Sequence, residues 1–153
     1  MAMTRLHYWL HAQTQYNIHS PFLFDMYREV LFARLTPEER RRHAIPRHDR
    51  YRELLYKCCN HYHLEVAPDS QPAPVLLTST LLTPTQFSTL NNCQPDTGQF
   101  SILLLSRPHA TPVAEQQWES LKADPTYQVS LDLYDVALLI RNPRLSPQHL
   151  LLR

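Results

Sequence analysis

The sequence predicts an α/β protein, a helical N-terminal region followed by a mixed sheet of about four to five strands. Three observations predict it. Ser20-Pro21 opens a stretch in which apolar residues recur at helical spacing. Short apolar runs at Val75–Thr80 and Phe100–Leu105 then alternate with helix starts at Thr83-Pro84 and Thr111-Pro112, the βαβ rhythm of a parallel sheet covered by helices. Three further strand candidates crowd the last third, too closely spaced for helical crossovers, and are therefore expected to be antiparallel.

Each element has a local reason. Thr4 can cap a first helix running to about Gln15, with Leu6, Trp9 and Leu10 on one face. Ser20 suits the N-cap of the second, because its hydroxyl can accept an orphan N–H one turn in. Pro21 suits the first helical position, where its missing N–H costs nothing. Phe22, Met26, Val30 and Leu23, Tyr27, Leu31 give this helix a broad apolar side as far as about Arg34. Leu35 to Arg52 reads as a polar, basic connection. A third helix follows from about Asp49 to His63, striped by Tyr51, Leu54, Leu55, Cys58 and Tyr62. Ala67 to Pro74 holds three prolines and reads as a loop. Phe87 and Leu90 mark a short helix after Thr83, and Ala114, Trp118 and Leu121 share a face of the helix after Thr111. Tyr127–Leu133, Val136–Arg141 and Gln148–Leu152 are the closing strands.

Composition narrows the function. A chain of 153 residues with net charge +1 and 43% hydrophobic residues builds one core. The expected organisation is a single domain, with residues 1–66 as helical cap region and 67–153 as sheet region. No apolar run approaches the ~20 residues of a membrane span, and Met1–Leu10 lacks the apolar core of a secretory signal. A cytoplasmic location is the expectation. Three cysteines, two of them adjacent, suit reduced thiols better than a disulfide framework. Gly98 is the only glycine, against thirteen prolines. Little backbone at positive φ is therefore expected, and the P-loop and dinucleotide fingerprints are excluded.

Leu6-His7-Tyr8-Trp9-Leu10 followed by Ile18-His19-Ser20-Pro21-Phe22-Leu23-Phe24-Asp25 resembles the N-terminal region of a group of small class I S-adenosylmethionine-dependent methyltransferases. These carry a His-Ser-Pro-Phe-Val-Phe segment ahead of a Rossmann-like domain. Ser101 to Leu105, His109, Trp118-Glu119, Pro125, Val129 to Leu133 and Ala137 to Arg141 resemble that family's fifth strand, following helix and closing antiparallel hairpin. The resemblance implies a truncated Rossmann-like, methyltransferase-like sheet. The middle departs from the family, which needs a glycine-rich turn after its first strand. Neither Glu65 nor Asp69 is followed by one. Thr78-Ser79-Thr80 and Ser106-Arg107, at the tips that would match the fourth and fifth strands, carry no carboxylate. The length from Val75 onward has room for strands four to seven only. The implied protein has lost its first three βα units and its cofactor site, so no cofactor is expected.

In such a remnant, Val75, Leu76, Leu77, Thr78, Ser79 and Thr80 would form an exposed edge. Unpaired backbone there is a liability unless covered. The segment is accordingly expected to pair with a second copy in a dimer, to pair with a partner's strand, or to lie under the third helix.

Two clusters carry possible chemistry. Cys59 and His63 stand four apart, and Cys58 and His61 three apart, so each pair shares a helical face and could hold a metal. The two pairs point in different directions, however, and a helix end with buried thiols and solvated histidines is the simpler reading. Arg34 to Arg52 packs seven arginines against three acids, a local +4 beside −3 for the rest of the chain. Arg40, Arg41, Arg42, Arg47 and Arg50 are the candidate anion or nucleic-acid contacts. The alternative is a solvated connection with local Glu–Arg pairs. His19 beside Ser20 is better explained by capping than by catalysis, and Trp9 and Trp118 as core or interface anchors. The leading expectation is a non-catalytic, methyltransferase-like protein acting through protein contacts. An active methyltransferase with an altered or shared site and a nucleic-acid-binding module are the alternatives.

Overall fold

The computed structural model describes residues 4–14, 18–66, 75–78 and 100–153, and for 75–78 the backbone alone. The loop expected over 67–74, the Thr83-Pro84 helix, Ser79, Thr80 and Cys93 lie outside the described residues.

Helix α1 (Arg5–His11) starts where Thr4 accepts from the His7 N–H. Its buried residue is Tyr8, not the expected face: Leu6, Trp9 and Leu10 are 69%, 56% and 64% exposed. Two turns of helix are too short to stand alone, and polar anchors decide how this one sits. The Tyr8 hydroxyl lies between the main-chain oxygens of Asp132 and Leu152. Beyond the helix, Gln13 N–H donates to Leu151 O and Arg153 N–H donates to Gln13 O.

Helix α2 (Pro21–Asp25) has Ser20 as its N-cap and proline in its first turn, as expected. It continues as a π-helical segment, Met26–Leu31, closed by Phe32 N–H donating to Tyr27 O. Leu23, Met26, Val30 and Leu31 are buried, and the helix stops short of Arg34. Helix α3 (Pro37–Arg42) lies inside the expected connection. Thr36 and Glu39 close a reciprocal capping box around its first turn, and it buries nothing. Helix α4 (Arg50–Tyr62) begins at Asp49 and ends at His63, whose φ of 53° occupies the left-handed position usual for glycine. Ala44, Arg107 and Tyr134 also have positive φ. The shortage of glycine does not prevent such turns; other residues bear the strain.

The sheet has six strands: β1 (Glu65–Val66), β2 (Val75–Thr78), β3 (Ser101–Ser106), β4 (Val129–Asp132), β5 (Val136–Arg141) and β6 (Gln148–Leu151), in the order β1-β2-β3-β5-β4-β6. Strands β3 and β4 are each antiparallel to β5 and so run in one direction, joined through α5 (Pro112–Lys122). The expected strand, helix and antiparallel hairpin are present. Three expectations are corrected. Strand β2 is antiparallel to β3, not parallel to it. Nor is β2 the edge: β1 pairs with it at Glu65↔Thr78 and Val66↔Leu77. Nor are all the closing strands antiparallel: β6 runs parallel to β4.

Both faces of the sheet are covered. Ile102, Leu104, Leu131, Leu138 and Ile140 share one core with Leu23, Met26, Val30, Leu54 and Cys58 of the N-terminal helices. Leu103, Leu105, Ala137 and Leu139 pack on the other side around Trp118, which is fully buried. This alternation explains why β3 and β5 read as continuous apolar runs. No helix among the described residues is long and apolar enough to cross a membrane.

Candidate functional site

Helix α4 carries a charged pair into the interior. Glu53 and Lys57 stand one turn apart, 2.9 Å between Oε1 and Nζ, with side chains 8% and 6% exposed. Helix α3 brings Arg40 to within 2.7 Å of the same carboxylate, and Arg50 approaches to 3.3 Å from the first turn of α4. Three cations therefore converge on one anion. Burial pushes the Glu53 carboxyl up, but hydrogen bonds from Lys57 and Arg40 together hold it below its ordinary value. Burial pulls both Lys57 and Arg50 down despite the carboxylate. Carbonyl oxygens at the end of the π-helical segment take up part of the excess: Lys57 donates to Ala33 O and Arg50 to Leu31 O, while Arg40 donates to Pro46 O. A helix C-terminus contributes only about half a negative charge. The cluster stays net positive.

Above it opens a cleft of about 1110 Å³. Arg34, Arg40, Arg41, Arg47 and Arg50 line it, with Glu53 as its one carboxylate and Phe32, Leu35, Ile45 and Pro46 among its apolar walls. Arg34, Arg41 and Arg47 are exposed and form no ion pair among the described residues. Four of the five arginines singled out in the sequence thus meet in one place. Arg42 does not line the cleft, because its guanidinium turns back along α3 to Glu38, 3.0 Å away. A second cleft of about 490 Å³ shares Phe32, Arg47, His48, Arg50 and Glu53, and adds Arg5, Tyr8, Trp9, Tyr134 and Arg153. A third, of about 530 Å³, reaches Ser106 and Arg107 at the end of β3. The two smaller clefts reach the carboxyl ends of β3 and β4, at Ser106-Arg107 and at Leu133.

The β3 tip is not without acids in space, as its sequence alone suggested. The β4–β5 hairpin brings Asp132 and Asp135 there, and Arg107 N–H donates to Asp135 O. His109, 2% exposed at its side chain, places Nε2 2.7 Å from Asp132 and Nδ1 3.3 Å from Glu115. Burial lowers its pKa, but the two carboxylates outweigh this and hold it above the ordinary value. Contacts at both ring nitrogens assign a doubly protonated imidazolium. Tyr134 stacks on it at 5.4 Å. With neither nitrogen open to a substrate, this group fastens the β3–α5 turn to the end of β4. Only the spacing of His109 from Asp132 was visible in the sequence, and spacing alone does not pair two residues 23 apart.

The thiol–imidazole reading is not assembled. Among the described residues, no three His, Cys, Asp or Glu side chains converge as metal ligands. Cys58 is buried, its thiol pushed up to about 12 by desolvation. Cys59 is half-buried and also raised by burial, while His63 is the exposed cap of α4. His19 is exposed, and Ser20 is occupied as a cap. No family model, no curated protein and no solved structure matches the chain.

Proposed function

We propose that this chain works by binding rather than by catalysis, and that an anionic ligand enters the arginine-lined cleft. The observation that carries the reading is the charge imbalance at Glu53. Three cations share one carboxylate, and Arg34, Arg41 and Arg47 stand over them without partners of their own among the described residues. Burial makes the charges of Lys57 and Arg50 costly, and an anion entering beside them relieves that cost. The proposed background is a shortened, methyltransferase-like α/β protein of the cytoplasm whose nucleoside site is gone. The His-Ser-Pro-Phe segment and the strand–helix–hairpin at the C-terminal end support that lineage; the antiparallel β2 is its main departure.

Calorimetric titration of the full chain with inorganic polyphosphate and, separately, with S-adenosylmethionine tests the reading. Heat with the first and none with the second is expected. Micromolar binding of S-adenosylmethionine would restore the enzyme reading. A protein partner is the second reading, favoured by the exposure of Leu6 and Leu10 on α1. Mass in solution, alone and after pull-down, tests it.

A further inference from the structure

The smaller cleft holds something that anion binding alone does not call for. One large apolar ring stands open in its wall, Trp9 at 56% exposure. The Arg153 guanidinium carbon lies 4.6 Å from its centroid. Phe32 beside it is closed in by the Tyr27 ring, 4.3 Å away between centroids, and by Arg50 at 5.4 Å. Leaving a ring such as Trp9 in water forfeits burial free energy, and Trp9 is not part of the core. Flat rings among cations are the two parts of a single-stranded nucleic-acid surface: cations follow the phosphates, while unpaired bases stack on the aromatics.

We infer that the cleft takes single-stranded nucleic acid, with Trp9 as its stacking platform and Arg47, unpaired among the described residues, on the phosphates; Arg5 is held by Asp135, 3.4 Å away in the same cleft. This rests on the anion-binding reading and narrows its ligand. A duplex keeps its base faces stacked inside and gives this ring nothing to meet. An acidic protein segment would use the cations and leave the ring idle. The two clefts share Phe32, Arg47 and Arg50 in their walls, so cations for more than one phosphate stand close together.

The test uses the full chain and a labelled oligouridylate of about ten nucleotides, with anisotropy and tryptophan emission read together. Trp118 is fully buried, so Trp9 reports on the cleft. The oligomer should bind and quench that emission, whereas inorganic polyphosphate should compete without quenching. Trp9→Ala should weaken oligomer binding by about tenfold, and Trp9→Phe should hold it within about threefold. Because Trp9 is exposed, neither change should disturb folding, which circular dichroism checks. Polyphosphate binding with no quenching by the oligomer, or with no loss in Trp9→Ala, overturns this inference and leaves the anion reading standing. So does tighter binding of duplex DNA, of uridine monophosphate or of an acidic peptide. Failure of both polyphosphate and oligomer to bind removes both.

Discussion

Lys57 Nζ lies 2.9 Å from Oε1 of Glu53, one turn back on α4, and the two side chains are among the least exposed charged groups described. Glu53 of this pair lines the arginine cleft, so stability and the proposed binding share one group. Glu53→Gln removes the only carboxylate from three cations. Because Arg40 and Arg50 keep partial access to water, the expected loss is about 3 kcal/mol, the lower end for breaking a buried pair. Denaturant unfolding with the slope unchanged measures it. A loss below about 0.5 kcal/mol would mean that the cluster is not a structural unit.

Acid should act through the same carboxyl. Its folded value lies below its ordinary one, so it binds fewer protons in the native state than in the unfolded one. The stability it gives is present above the unfolded carboxyl value of about 4.3 and is lost as pH falls through the lower folded value. The wild-type unfolding midpoint should drop over that window, and Glu53→Gln should flatten the drop. Equal acid slopes in the two proteins would contradict this.

His109 has the opposite sign. Its folded value is raised above 6.5 by Asp132 and Glu115 against the pull of burial. Its contribution is therefore complete below pH about 6.5 and is lost as pH rises through the folded value. Denaturation midpoints from pH about 6 to 9 should fall in wild type and stay nearly level in His109→Gln. A rise with pH that vanishes in the variant would reverse the assignment of an imidazolium.

Tyr8 ties the N-terminal helix to the sheet by its hydroxyl. Tyr8→Phe keeps the ring against Tyr134, at 5.2 Å between centroids, and removes the bond to Asp132 O or Leu152 O. The expected cost is about 1 kcal/mol, with faster amide exchange confined to α1 and the Gln13 bridge. Exchange unchanged in α1 would show that some other contact holds it.

Local signals were legible and non-local ones were not. Ser20-Pro21, Asp49 and Thr111-Pro112 start helices where their side-chain chemistry requires, because a cap is decided within one turn. Strands β3 and β5 were visible because both of their faces are buried. Helix α3 was hidden by its lack of an apolar stripe, although Thr36 and Glu39 already stood at capping-box spacing. The direction of β2 is set by pairing with β3, and no residue within β2 encodes it. Leu6, Trp9 and Leu10 looked like a core face, but the two carbonyls reached by Tyr8 turn the helix the other way. The arginines of the cleft were legible as charge; their convergence on Glu53 was not, since the sequence gives no reason to place a carboxylate inside.

Salt tests most directly whether the unpaired cations of the cleft bind a polyanion. Affinity of the full chain for inorganic polyphosphate should fall linearly on a log–log plot against salt as counterions are released. The triple variant Arg34→Ala, Arg41→Ala, Arg47→Ala, whose sites are exposed and free of ion pairs, should fold normally and give a weaker, flatter line. An affinity indifferent to salt, or a triple variant on the wild-type line, would contradict the account.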